Sequence, residues 1–144
     1  EEGHPTAGAV ALPALDLTLS TMTLPNPTDL PPIPDRPRVV VSRSRPPAEA
    51  MDVCDALGGV VVELGSAGAK AMAVVRGEVE AYVHSGGQYE WDSCAPVAVA
   101  IAAGLHASRI DGTPLRYNSA DPYLPDLVIC RAELAEAVLA ALAG

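Results

Sequence analysis

From residue 38 to the C-terminus, short β-branched runs alternate with helical stretches, and that alternation leaves few folds open. Residues 38–42 (Arg-Val-Val-Val-Ser), 60–64 (Val-Val-Val-Glu-Leu) and 127–130 (Leu-Val-Ile-Cys) are short, apolar and bounded by turn residues, so they read as buried strands. Residues 48–57 follow Pro46-Pro47 and stop at Gly58-Gly59, which predicts a helix. Further helices are predicted over 66–76, over 91–103 with Gly104 as the stop, and over 132–142. Residues 78–84 alternate Glu78 and Glu80 with Val79 and Ala81, the pattern of a strand with one polar face. A last strand is expected over 107–110, followed by a turn at Asp111-Gly112 and a polar loop over 114–125. Strands separated by helices predict an α/β fold, a layered sandwich of mixed, mostly parallel sheet with helices packed on its faces. The helix from Asp92 to Ala103 is nearly all Ala, Val and Ile, which places it in the middle of such a layered assembly.

Ahead of this region, residues 7–13 and 16–22 read as two short antiparallel strands. Residues 24–37 then hold six prolines in fourteen positions, which excludes helix and central strand. We read this stretch as a surface loop within one domain spanning 1–144, because the residues before it are too few to bury a core alone. The chain opens Glu1-Glu2-Gly3-His4-Pro5 without an initiator Met and runs at once into an apolar segment, which suggests a cut or incomplete chain.

Nine Lys+Arg against eighteen Asp+Glu give a formal charge of −9, and Lys70 is the single lysine. That balance argues against nucleic acid or an anionic membrane surface as partner. It does not exclude an anionic substrate, because backbone dipoles, a few cations or a metal ion can reverse the field locally. Cys54, Cys94 and Cys130 form no CxxC pair and are expected to be reduced thiols of a cytoplasmic protein. No apolar run approaches the roughly 20 residues of a membrane span.

Three segments carry chemistry, each with two readings. Gly65-Ser66-Ala67-Gly68-Ala69-Lys70 lies between a strand and a helix, where free N–H groups form an anion site, Ser66 can bond a phosphate and Lys70 adds a cation one turn in. The same residues also make an ordinary N-cap with glycines for close packing, and the spacing is not that of a Walker A loop. Gly86-Gly87-Gln88-Tyr89-Glu90-Trp91-Asp92 ends with Asp92 opening the apolar helix, either as a cap favoured by the helix dipole or as one carboxylate ligand of a hard cation such as Mg²⁺. Ser42-Arg43-Ser44-Arg45 leaves a predicted central strand, where α/β sheets place their ligands, or is simply a solvated turn. His4, His84 and His106 lack metal-ligand spacing, and no Ser/His/Asp or Cys/His grouping points to a protein nucleophile.

Taken in order, Ser-Arg-Ser at a strand end, Gly-Ser followed by Lys at the next turn, Glu90-Trp91-Asp92 opening a helix, and Asp111-Gly112-Thr113-Pro114-Leu115-Arg116-Tyr117-Asn118 resemble the C-terminal half of the lithium-sensitive, magnesium-dependent phosphatases. Within that superfamily, which includes inositol monophosphatases and fructose-1,6-bisphosphatases, the chain is most similar to the CysQ-type 3′(2′),5′-bisphosphate nucleotidases. The resemblance covers essentially the whole chain and implies the second half of an α-β-α-β-α fold. It implies hydrolysis, in the complete enzyme, of the 3′-phosphate of 3′-phosphoadenosine 5′-phosphate or its phosphosulfate to AMP, in sulfur assimilation. Inositol monophosphate or fructose 1,6-bisphosphate is the alternative substrate.

By the same resemblance Asp92 is a magnesium ligand, with more than one ion expected, and Ser42, Gly65, Ser66 and Lys70 bind substrate. Two positions depart from the family pattern. Arg45 replaces a His after Ser-Arg-Ser, and Tyr82-Val83-His84 replaces Tyr-Pro-Arg; Arg45 and His84 are therefore expected to face the nucleotide and to bear on its preference. The family's Asp-Pro-x-Asp-Gly-Thr motif and its upstream Glu are absent, and Asp111-Gly112-Thr113 belongs to a later turn. The expectation is a chain whose metal-binding N-terminal half lies before Glu1 or on another chain, which alone is an inactive phosphate- or nucleotide-binding half. Its partners are then a phosphorylated substrate and that missing half, with homodimerisation left open.

Overall fold

The computed structural model describes residues 2–26 and 29–144. Its centre is a five-stranded sheet built from β3 (Arg38–Ser42), β4 (Val60–Leu64), β5 (Ala81–His84), β7 (His106–Ser108) and β9 (Leu127–Cys130), in the order β4-β3-β5-β9-β7. β3 runs parallel to β4 and β5, whereas β9 is antiparallel to both β5 and β7. The sheet is thus mixed: two of its strand pairings are parallel and two antiparallel, and β9 runs against the other four strands. Strands β3, β4 and β9 lie on the residues that the apolar runs mark, because each run is bounded on both sides by turn-forming residues.

One sheet face carries α1 (Ala48–Ala56) and α4 (Ala135–Leu142), packed on Val39, Val41, Ala81, Val83 and Val128. The other carries α2 (Ala67–Val75) and α3 (Glu90–Ala102), packed on Val40, Tyr82, Leu127 and Ile129. Alternate strand residues feed opposite cores, and burying each Val is worth about 1.5–3 kcal/mol. Beyond α2 and α3 lies a hairpin of β1 (Ala9–Leu12) and β2 (Leu17–Ser20), antiparallel and joined by a 3₁₀ turn at Pro13–Leu15. It rests on α3 so closely that a Cβ at Gly8 would stand 3.0 Å from the Ala95 carbonyl oxygen. The layers are therefore hairpin, helices, sheet, helices. The inner turns of α3, residues 96–100, occupy the predicted middle layer, while Trp91 and Ile101 at its ends are 68% and 51% exposed.

Four local expectations are corrected. The strand expected over 78–84 begins only at Ala81, and Glu80 is 1% exposed, not on a polar face, because Arg38 from β3 pairs with its carboxylate. The polar loop over 114–125 contains a two-residue strand, β8 (Tyr123–Leu124), paired with β6 (Gln88–Tyr89). The α3 helix starts at Glu90, one residue earlier than expected. The terminal helix divides into a 3₁₀ turn at Ala132–Leu134 and α4.

Residues 24–37 contain no strand among those described; Pro27 and Thr28 of this loop lie outside the described residues. The loop is tied to the amino-terminal ends of the parallel strands. Arg131 Nη1 donates to the Pro31 carbonyl at 2.9 Å, and the Val60 N–H donates to the Pro37 carbonyl at 2.9 Å. It therefore leaves the carboxyl ends of β3 and β5 uncovered.

Candidate functional site

At those carboxyl ends, where parallel sheets place ligands, a cavity of about 420 Å³ opens. Ser42 from the end of β3, Arg45 beyond it, Lys70 from α2, His84 from the end of β5 and Asp92 from α3 all line it. Five of the residues singled out in the sequence thus converge, although 50 positions separate the first from the last.

Asp92 occupies the first turn of α3. Its Oδ2 accepts from the Tyr89 N–H at 2.9 Å, so the carboxylate closes the helix start while its other oxygen has no hydrogen bond among the described residues. The capping and metal-ligand readings of this residue are compatible. The neighbouring Glu90 serves the scaffold: its two oxygens accept from the N–H groups of Asn118 and Ser119 at 2.7 and 3.1 Å. Desolvation opposes its charge, but those N–H donors outweigh it and hold the carboxyl below its ordinary range.

Lys70 is 4% exposed, and its Nζ donates to the Ser66 carbonyl at 3.0 Å and lies 5.4 Å from the centre of the Tyr82 ring. No carboxylate pairs with it among the described residues, and burial pushes its pKa down. A buried ammonium facing a cavity without a counter-anion is suited to an anionic ligand. Tyr82 forms the wall beneath it, and burial together with the Asp92 charge raises its phenol far above ordinary values.

Ser66 and Gly65 stand elsewhere. The Ser66 hydroxyl accepts from the Ala69 N–H at 3.3 Å as the cap of α2, and Ser66 lines a separate apolar groove beside Leu12, Pro13 and Leu15. Gly65 lines neither cavity. Ser66 reaches the site through its carbonyl, which orients the Lys70 ammonium. It does so from a left-handed backbone conformation, φ +64°, that is costly for a residue with a side chain.

Ser42 Oγ lies 3.3 Å from Ser44 Oγ, and the Arg43 N–H donates to the Leu64 carbonyl at 3.2 Å, fixing the turn that leads to Arg45. His84 Nε2 is 3.0 Å from the Gly87 carbonyl; since a carbonyl only accepts, Nε2 carries the proton. Arg45 and Lys70 against Asp92 give the cavity lining a positive excess within an acidic chain.

Other wall residues carry a weaker local signal. Gly86 and Gly87 take φ of +89° and +87°, and the Tyr123 ring lies over Gly87, where a Cβ would stand 2.6 Å from Tyr123 Cε2. Gln88, Tyr89 and Tyr123 complete the wall. Their role depends on β6 meeting β8 across 34 residues of sequence, and neither two-residue strand has a pattern of its own. The Gly-Gly pair was the one available clue.

The fold and cavity define an α/β protein with a cleft lined by Arg45, Lys70 and Asp92 at the carboxyl ends of its parallel strands. Residues 38–143 match the Inositol monophosphatase family. The chain belongs to that family. It is 52% identical over 139 residues to a 3′-phosphoadenosine 5′-phosphate phosphatase of Mycobacterium bovis, a match covering 96% of this chain and 52% of that relative. It is 34% identical over 88 residues to the 3′(2′),5′-bisphosphate nucleotidase CysQ of Escherichia coli, covering 61% of this chain and 36% of that one. Its fold matches an inositol monophosphatase from Anabaena with a TM-score of 0.74 at 20% identity, over 98% of this chain and 60% of that one. The chain spans about half the length of the first of these relatives, 52%. Among the described residues no helix is long and apolar enough to cross a membrane.

Proposed function

We propose that the full-length enzyme to which this chain contributes removes the 3′-phosphate of 3′-phosphoadenosine 5′-phosphate to give AMP, with Mg²⁺ as cofactor and the cytoplasm as its compartment. The observation that carries this reading is the convergence of Ser42, Arg45, Lys70, His84 and Asp92 on one cavity at the carboxyl ends of β3 and β5. The name of the relative that is 52% identical supports the choice of substrate.

Asp92 fits a hard cation as one ligand, with one carboxylate oxygen that accepts no hydrogen bond from the described residues. Among the described residues no group of three His, Cys, Asp or Glu could hold a metal. The remaining ligands are assigned to residues outside this chain, and the 144 residues form the C-terminal half of the enzyme. Mg²⁺, when bound, neutralises phosphate charge and favours attack by water. This chain's own part is positional. Lys70 and Arg45 attract the phosphates, Ser42 bonds an oxygen of the substrate, and the His84–Gly87 contact holds the wall against which the nucleotide lies.

The test is phosphate release by the full-length enzyme with Mg²⁺, comparing 3′-phosphoadenosine 5′-phosphate, inositol 1-phosphate and fructose 1,6-bisphosphate. A preference in kcat/KM for the nucleotide is expected, and a clear preference for either sugar phosphate would reject the assignment. The 144-residue chain alone is expected to release no phosphate; activity without the other half would refute the division of metal ligands.

A further inference from the structure

Gln88 is 9% exposed and lines the cavity, yet neither Oε1 nor Nε2 has a hydrogen-bond partner. The other buried polar side chains are satisfied: Glu80 by Arg38, Ser93 by Tyr117, Ser108 by His106, Arg131 by Pro31 and Glu133, and Lys70 by the Ser66 carbonyl. Gln88 is the exception among the described residues. An amide with both ends unpaired is destabilising relative to an apolar side chain of the same shape, so its place in a well-packed wall points to a ligand that pairs it.

The backbone around it is held firmly. Gln88 faces Leu124 and Tyr89 faces Tyr123 in the β6–β8 pair, which turns Gln88 inward and Tyr89 outward. The Gly87 N–H donates to the Pro125 carbonyl at 3.0 Å, and the Asp92 carboxylate holds the Tyr89 N–H. The carboxamide is therefore presented from a fixed base, as recognition requires.

A phosphate offers acceptors alone and would leave Oε1 unpaired. A base edge with an exocyclic amino group beside a ring nitrogen pairs both amide atoms at once, the bidentate match of Gln with adenine. The adjoining wall suits a flat ring: Tyr123 lies over Gly87, which has no side chain to intervene, and Tyr89 meets Tyr123 edge-on at 6.4 Å between ring centres. The charged groups Arg45 and Lys70 come from elsewhere, the turn after β3 and helix α2.

We propose that Gln88 reads the base of the nucleotide, Nε2 donating to an adenine ring nitrogen and Oε1 accepting from the 6-amino group. This assignment rests on the nucleotidase reading above and makes Gln88 a specificity-determining residue for it. In the full-length enzyme, Gln88→Met should lower kcat/KM for 3′-phosphoadenosine 5′-phosphate about ten- to a hundredfold, chiefly through KM. It should leave kcat/KM for the base-free ribose 3,5-bisphosphate unchanged and should not lower the Tm. Gln88→Glu, which exchanges the donor for an acceptor, should raise the ratio of guanosine to adenosine bisphosphate turnover.

Equal losses on the nucleotide and the base-free substrate would overturn the proposal in favour of a role in phosphate handling or packing. So would an unchanged kcat/KM for both, or an unchanged guanosine to adenosine ratio in Gln88→Glu. If the unaltered enzyme hydrolyses the nucleotide but these variants behave so, the base-reading role of Gln88 alone fails. If the unaltered enzyme does not hydrolyse the nucleotide, the nucleotidase reading fails with it.

Discussion

The Glu80 carboxylate, 1% exposed, receives the Arg38 side chain and main chain together: Arg38 Nη2 at 2.7 Å, Nε at 3.1 Å and the backbone N–H at 2.6 Å. The Glu80 N–H donates in turn to the Arg38 carbonyl at 2.9 Å, and its own carbonyl accepts from Arg131 N–H at 2.9 Å. This pair fastens the amino-terminal ends of β3 and β5 to the carboxyl-terminal end of β9, at the end of the sheet opposite the cavity. The strand register that aligns Ser42 with His84 begins there.

Loss of that pair should therefore weaken the fold before it touches chemistry. Glu80→Ala leaves the Arg38 backbone N–H buried and unpaired, but the Arg38 side chain is 37% exposed and can rehydrate, so the full cost of a broken buried pair is not reached. We expect about 2 kcal/mol of destabilisation in urea unfolding of the full-length protein. KM for the nucleotide should stay the same wherever the protein is folded, and a changed KM with unchanged stability would contradict the structural role.

Asp92→Asn keeps an oxygen for the Tyr89 N–H and so preserves the helix start, while removing the negative charge that a cation requires. Turnover by the full-length enzyme should fall about a hundredfold or more, with less than about 1 kcal/mol change in stability. Phosphate release titrated with MgCl₂ would show it; near-normal activity at low Mg²⁺ would remove Asp92 from the metal site.

Lys70→Met separates binding from stability. The ammonium is desolvated and its folded pKa lies below the ordinary 10.5, so between the two values the unfolded chain binds more protons and stability rises with pH. The destabilising effect of the buried charge is thus complete below the folded pKa and fades as pH climbs towards 10.5. The Met variant should have the higher Tm at pH 7, with an advantage that shrinks from pH 7 to pH 10. Its kcat/KM for the bisphosphate should fall about tenfold or more through loss of a charged hydrogen bond. A parallel drop in Tm and activity would indicate that Lys70 is a packing residue.

Gly87→Ala introduces a Cβ 2.6 Å from Tyr123 Cε2 at a φ of +87° that L-residues rarely adopt. Tyr123 must move or the β6–β8 pair must open, at about 1–3 kcal/mol. Substrate KM should rise with that distortion of the wall. By contrast Gly86→Ala, which would meet nothing within 4 Å and carries only the backbone strain, should be the milder variant. The comparison is read from paired urea melts and KM values, and equal effects would locate the penalty in φ rather than in the Tyr123 contact.

The division between local and global information is visible in particular elements. Strands β3, β4 and β9, the helix stop at Gly58-Gly59 and the Asp92 helix start were legible because each depends on neighbours a few residues away: apolar runs, the positive φ of Gly58 and a capping carboxylate. The motif order that marks the family was legible for the same reason, since spacing along the chain is itself sequence. Glu80 was not, because alternation along 78–84 assigns it to solvent and only Arg38, 42 residues away, makes its burial tolerable. Neither β6 nor β8 was legible, two residues each, paired across a loop. The fates of Ser66 and Lys70, adjacent in one motif, also lay beyond sequence. The helix start turns one hydroxyl into a cap and sends the other side chain 4 residues on into the cavity. Gln88 combines both limits. The chain supplied an amide beside two glycines, and only the packing of Tyr123 and Leu124 against that segment made it a buried amide without a partner.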